Sequence, residues 1–171
     1  MIISLLGYMG SGKTHISKKL SEKIDYKLID LDAEIMQKNQ KTIAKIFLEK
    51  GEIFFRKQEK EILEDILAKK DNIILSLGGG TPAYYNNMQL INQKSKSIFL
   101  RANISTLTKR LLSEKESRPL IAKISEEDLP EYIAKHLFER NYFYNQAKFI
   151  ISTDSKSDTE IVSEIEKLIF T

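Results

Sequence analysis

Cysteine is absent from this chain of 171 residues, which excludes disulfides and thiolate-held metals. The lack suits a reducing cytoplasm, which is the expected location. Proline occurs only 3 times. No Pro/Gly-rich linker, internal repeat or low-complexity tract divides the chain, so residues 1–171 read as one domain, expected to act as a monomer. No apolar run approaches the ~20 residues that cross a bilayer, and no membrane partner is expected. Residues 1–10 are apolar, but they lack the basic leading segment of a secretion signal and run into Ser11-Gly12-Lys13-Thr14 without a cleavage site. The net charge of +3 is too mild to imply a nucleic-acid partner; an anionic small substrate would be enough to use it. Arginine is scarce: Arg56, Arg101, Arg110, Arg118 and Arg140 are the only ones among 27 basic residues. A chain that defaults to lysine keeps arginine where a planar, forked donor is needed, or leaves it as an ordinary surface charge.

Hydrophobic residues make up 42% and charged residues 30%, enough apolar mass for a single packed core. Short β-branched runs read as strands at residues 2–6, 26–31, 73–77, 97–100 and 149–152. Segments with apolar residues at helical spacing lie between them, at 15–24, 33–38, 42–50, 52–70, 84–93, 104–112, 130–146 and 158–169, with Gly51 stopping one of them. Residues 113–128 are polar, charged and proline-bearing, and read as a loop or mobile segment. Alternating strands and helices, joined by right-handed crossovers, predict a three-layer α/β/α sandwich around a central parallel sheet. Ligands in such folds lie beyond the carboxyl ends of the strands. Residues 7–14, 30–32 and 78–80 all follow or close predicted strands and are expected to gather on that edge.

The chemistry is carried first by Gly7-Tyr8-Met9-Gly10-Ser11-Gly12-Lys13-Thr14, a full match to G-x-x-x-x-G-K-[ST] between a strand and a helix. Such a P-loop turns successive backbone N–H groups toward phosphate oxygens, and the next helix adds its positive N-terminal end. Gly10, Ser11, Gly12 and the backbone of His15 belong to this cradle. Lys13 reaches the β- and γ-phosphates, and the Thr14 hydroxyl is placed to ligate Mg²⁺. The chain therefore has the P-loop nucleoside-triphosphate-binding fold. A GTPase would need an Asn-Lys-x-Asp guanine reader, which is missing, and a motor would be larger. The small size and the paired aspartates favour a small-molecule kinase.

Three further constellations resemble the shikimate kinase family. They are Asp30-Leu31-Asp32 at the end of the second strand, Gly51-Glu52-Ile53-Phe54-Phe55-Arg56-Lys57-Gln58-Glu59, and Leu77-Gly78-Gly79-Gly80 followed by Arg118-Pro119-Leu120. Their order and spacing run from residue 2 to about residue 152. The resemblance implies transfer of the ATP γ-phosphate to the 3-hydroxyl of shikimate, with Mg²⁺, on the route to chorismate and aromatic amino acids. It implies that Asp32 bonds the acceptor hydroxyls and takes the proton of the attacking one. By the same resemblance Asp30 holds Mg²⁺ through water, and Arg56 and Arg140 clamp the acceptor carboxylate. Gly78, Gly79 and Gly80 bring backbone amides close to the acceptor, and Phe47 and Phe55 form an apolar wall. It also implies a substrate-binding helical region at about 33–62, and a lid at about 113–128 that carries Arg118 to the phosphates. By the same resemblance Arg110 packs on adenine. The catalytic set is then Asp32, Lys13 and Arg118.

Each assignment has a plainer counterpart. Asp30 or Asp32 can cap a helix. Arg56 can pair with Glu52 or Glu59 one turn away. The three glycines can form a simple turn, Arg110 and Arg140 can be solvated, and Phe47 and Phe55 can be ordinary core. His136 reads as a helix-surface residue. The competing functions are a related kinase with another acceptor, such as gluconate or a nucleoside monophosphate, and a non-catalytic nucleotide sensor.

Overall fold

The computed structural model describes residues 1–118 and 120–171. Its frame is one sheet of five strands: β1 (Ile2–Leu6), β2 (Lys27–Asp30), β3 (Ile73–Ser76), β4 (Lys96–Arg101) and β5 (Phe149–Ser152). Every pairing is parallel and the order is β2-β3-β1-β4-β5. Seven α-helices accompany it among the described residues: α1 (Lys13–Ile24), α2 (Leu31–Asn39), α3 (Ile43–Leu67), α4 (Asn87–Lys94), α5 (Ile104–Ser113), α6 (Leu129–Tyr144) and α7 (Asp158–Phe170). The predicted α/β/α sandwich is the fold observed.

Period-two alternation in the strands builds the three layers. Ile3 and Leu5 of β1, Ile74, Ile98, Leu100 and Ile151 face a cluster completed by Ile16 and Leu20 of α1 and by Ile161 and Ile165 of α7. Ile2 and Leu6, Ile73, Leu75 and Phe99 face the opposite cluster, which takes side chains from α2 through α6. Both faces of the inner strands are thus covered, as a parallel sheet requires.

This arrangement also places the site. The chain leaves β1 toward the layer of α1 but leaves β3 toward the layer of α4. The two strands are neighbours, so their exits diverge and a crevice opens between them at the carboxyl edge.

Local signals explain most helix ends. Asp30 Oδ1 accepts the Ala33 N–H at 3.0 Å and caps α2. Thr42 caps α3, Asn103 caps α5, and Ser157 with Glu160 forms a reciprocal capping box on α7. Gly51 interrupts α3 with φ 81° and ψ 171°, so this helix is two segments meeting at a kink, as its sequence suggests.

Three departures from expectation concern segments that line or flank the strand exits. The second strand ends at Asp30 rather than Leu31, because the Asp30 cap starts a helix at once and puts Asp32 in its first turn. Residues 84–86 are not helical. A 3-10 turn at Thr81–Ala83 is followed by extended Tyr84 and by Tyr85 at φ 50°, and α4 begins only at Asn87. Lastly, the polar stretch 113–128 is more ordered than a plain loop. A 3-10 turn at Lys115–Ser117 opens it, and Ile121 is fully buried in the larger core cluster.

Candidate active site

A cleft of about 1010 Å³ lies at the diverging strand exits, and every residue expected to bind or react lines it. One end is the P-loop. The Ser11 N–H donates to the Tyr8 carbonyl at 3.1 Å, which closes the loop before α1 starts at Lys13. The Lys13 ammonium donates to the carbonyls of Gly7 at 2.6 Å and Tyr8 at 3.2 Å. Burial lowers its pKa to about 8; the charge of Asp32 opposes that shift, while Arg118 and Arg140 add to it. Thr14 and His15 are exposed and line the cleft.

The helical region after β2 supplies the other end. Asp32 is raised from an ordinary carboxylate value to about 6, first by burial, then by the negative charges of Asp30 and Glu59, with Lys13 and Arg56 pulling it back. A carboxylate held there is ionised at neutral pH yet basic enough to take a proton. Among the described residues its oxygens accept no hydrogen bond, whereas Asp30 commits one oxygen to its cap and keeps the other free. The plain capping role and a cleft-facing carboxylate are therefore both realised at Asp30.

Arg56 likewise combines the two roles weighed for it. Its Nη1 donates to Glu59 at 2.8 Å, and Glu52 lies 3.6 Å from its Nε, yet the side chain also lines the cleft. Glu59 is 1% exposed, and its other oxygen accepts the Thr81 hydroxyl at 2.7 Å. A buried carboxylate satisfied this way fixes the guanidinium against the triple-glycine loop. A β-carbon on Gly80 would fall 2.7 Å from Arg56 Nη2, so only glycine permits this approach. A β-carbon on Gly78 would meet Asp32 Oδ1 at 3.0 Å, and one on Gly79 would meet Arg140 Nη1 at 3.4 Å. The three glycines thus touch the aspartate and both arginines, which is more than a turn needs. Phe47 and Phe55 stack with centroids 4.6 Å apart along the cleft wall, Phe55 being also part of the core.

Arg140 forms no ion pair among the described residues, and its guanidinium stands 5.6 Å from the Tyr8 ring centre. Tyr144, one turn later, donates its hydroxyl to the Gly79 carbonyl and ties α6 to the glycine loop. His136, expected on the surface, is half-buried: its Nδ1 and the Tyr8 hydroxyl share a hydrogen bond of 2.9 Å. Burial and the nearby Arg140 lower its pKa.

Two further arginines line the cleft. Arg110 donates to the Gly10 carbonyl at 3.1 Å and to both the hydroxyl and the carbonyl of Thr153 at 3.2 Å, joining the P-loop to the loop after β5. Arg118 is held by Glu114, with Nε donating at 2.7 Å. Pro119 of the Arg118-Pro119-Leu120 motif lies outside the described residues; Leu120 is exposed and lines the cleft.

The sequence offered no signal for Thr81, Tyr84 or the Tyr8–His136 pair. Glu59 closes the G-E-x-x-F-R-x-x-E pattern, but its burial and its hold on Thr81 appear only in three dimensions.

The family model for shikimate kinase matches residues 9–170. The chain is 46% identical over 170 residues to a shikimate kinase of Flavobacterium psychrophilum, covering 98% of each, and 43% identical to that of Flavobacterium johnsoniae, covering 95% of each. In three dimensions it is similar to the crystal structure of shikimate kinase from Bacteroides thetaiotaomicron, with a TM-score of 0.93, 32% identity and coverage of 100% and 99%. It is also similar to shikimate kinase from Acinetobacter baumannii in complex with shikimate, with a TM-score of 0.87, 28% identity and coverage of 99% and 92%.

Proposed function

Since the chain belongs to the shikimate kinase family, we propose that its cleft transfers the γ-phosphate of ATP to the 3-hydroxyl of shikimate. One observation carries this reading: a basic carboxylate, Asp32, and two cleft-facing arginines, Arg56 and Arg140, share one cleft with the P-loop lysine. The triphosphate lies along the backbone of residues 10–15. There Lys13 exchanges the Gly7 and Tyr8 carbonyls for phosphate oxygens and regains its full charge. The acceptor carboxylate sits between the forks of Arg56 and Arg140, with the ring against Phe47 and Phe55. This docking turns a hydroxyl toward Asp32. As the hydroxyl oxygen bonds to the γ-phosphorus and the bond to the β–γ bridging oxygen breaks, the proton passes to Asp32 and ADP leaves. Arg118 leaves Glu114 to meet the charge that develops on the phosphates. Residues 113–128 act as the lid that brings it there and keeps water out.

The donors at the cleft floor suit Mg²⁺, which is commonly held by one or two oxygen ligands plus substrate phosphates. The Thr14 hydroxyl and the free oxygen of Asp30 would hold it, and it would offset phosphate charge. Arg110, which already spans the P-loop and Thr153, packs on the adenine. We take the enzyme to act as a monomer in the cytoplasm, a reducing compartment that the lack of cysteine suits. Among the described residues no helix is long and apolar enough to cross a membrane.

The decisive experiment is coupled ADP release with Mg-ATP and a panel of acceptors. Turnover dependent on shikimate is expected. Turnover with gluconate or a nucleoside monophosphate but not shikimate would replace the acceptor, and ATP binding without acceptor-dependent turnover would leave a nucleotide sensor.

A further inference from the structure

Arg56 is held from a side that does not touch the cleft. Its guanidinium carbon lies 3.8 Å from the centre of the Tyr84 ring, close to the limit of van der Waals stacking, and 5.0 Å from that of Phe55. Tyr84 itself does not line the cleft. Its hydroxyl donates at 2.6 Å to Glu52 Oε1, the same oxygen that lies 3.6 Å from Arg56 Nε. The backbone is bent to achieve this. Tyr84 is extended at φ −110° and ψ 145°, and the next residue, Tyr85, adopts φ 50°, a left-handed conformation unfavourable for a bulky side chain. Strain of this kind persists where surrounding contacts impose it, and here it delays α4 to Asn87.

We infer that Tyr84 is a positioning residue for the acceptor carboxylate: its ring fixes the plane of the Arg56 guanidinium, and its hydroxyl holds Glu52 Oε1 beside the arginine's Nε. Glu59 and the ring together leave the guanidinium little freedom, with Nη2 presented at Gly80. An arginine ordered before binding gives up less rotamer entropy when a carboxylate arrives. The inference rests on the reading that Arg56 clamps that carboxylate.

The test is steady-state kinetics of Tyr84→Leu and Tyr84→Phe, with Arg56→Lys as reference. Tyr84→Leu should raise the KM for shikimate about tenfold, as expected for loss of a shielded cation–π stack, while kcat and the KM for ATP stay within about twofold. Tyr84→Phe keeps the ring and should recover most of the lost affinity. In an Arg56→Lys background, Tyr84→Leu should add little, because lysine has no plane to stack. Tyr84→Gln, with a melting curve and the KM for ATP as folding controls, serves if the leucine variant is unstable. An unchanged shikimate KM in the folded Tyr84 variants, an equal rise in the Phe and Leu variants, or an undiminished effect in the lysine background would overturn the inference. If Arg56→Lys alone leaves the shikimate KM unchanged, it is the clamp that fails.

Discussion

Asp32→Asn should make a poorer enzyme and a more stable protein. Asp32 is raised from 3.8 to about 6 by burial and by Asp30 and Glu59, so the folded state binds its proton more tightly than the unfolded chain does. Stability from such a group is fully present below pH 3.8 and is lost as pH rises through about 6. The shift of about two pH units corresponds to about 3 kcal/mol of destabilisation at neutral pH, an upper value because the cleft admits water. Asparagine has nearly the same shape and no charge. Urea denaturation at pH 7.5 should therefore find the variant more stable by about 2–3 kcal/mol, or by roughly 5–10 °C in a melt. The difference should shrink below about 1 kcal/mol by pH 4, where the wild-type carboxyl is protonated in the folded state. Turnover should fall by about 10²–10⁴ while ATP binding is retained. No gain at pH 7.5, or a gain that persists undiminished at pH 4, would refute the electrostatic account. Full turnover would refute the base.

Lys13, lowered to about 8 in the free protein, should regain a proton when the triphosphate replaces its carbonyl partners. Calorimetric ATP titrations in buffers of different ionisation enthalpy should thus show proton uptake that grows from pH 7 to 8.5, and uptake independent of pH would contradict the shift. Gly80→Ala puts a methyl group 2.7 Å from Arg56 Nη2 and should raise the shikimate KM about tenfold or more, with the ATP KM unchanged; equal effects on both would point to a general distortion. Arg140→Ala, which removes a charge-assisted contact, should raise the shikimate KM by about 10- to 100-fold, and an effect confined to ATP would move Arg140 to the nucleotide. Wild-type kcat should decline below pH 6 as Asp32 takes up its proton, a profile followed by coupled ADP release; a flat profile to pH 5 would argue against that pKa.

The layered fold could be read from the sequence because alternation in Ile2, Ile3, Leu5 and Leu6 is a local signal, and the P-loop is a contiguous one. Asp32, Arg56 and Gly78–80 were found by motif. What the motif could not convey was why they need one another, because the reasons are contacts across the fold. Gly80 must lack a side chain for Arg56, and Thr81 must satisfy Glu59. Tyr84 escaped for a different reason. Its neighbours favour a helix, whereas the ring stacks on Arg56 and the next residue takes a left-handed turn, contacts that no local pattern announces. His136 looked solvated because its partner, Tyr8, is 128 residues away.

The diverging exits of β1 and β3 have an evolutionary consequence. The helix that follows the nucleotide loop is packed in one hydrophobic layer, with Tyr8 of the loop reaching into the other, where the helices that carry Arg56 and Arg140 are packed. Core substitutions should then sort by layer: repacking around Ile16 and Leu20 should register in ATP affinity, and repacking around Leu63 and Leu137 in acceptor affinity. A fold partitioned in this way can acquire a new acceptor by drift in one layer, away from Tyr8, while the helix behind the triphosphate cradle stays as it was.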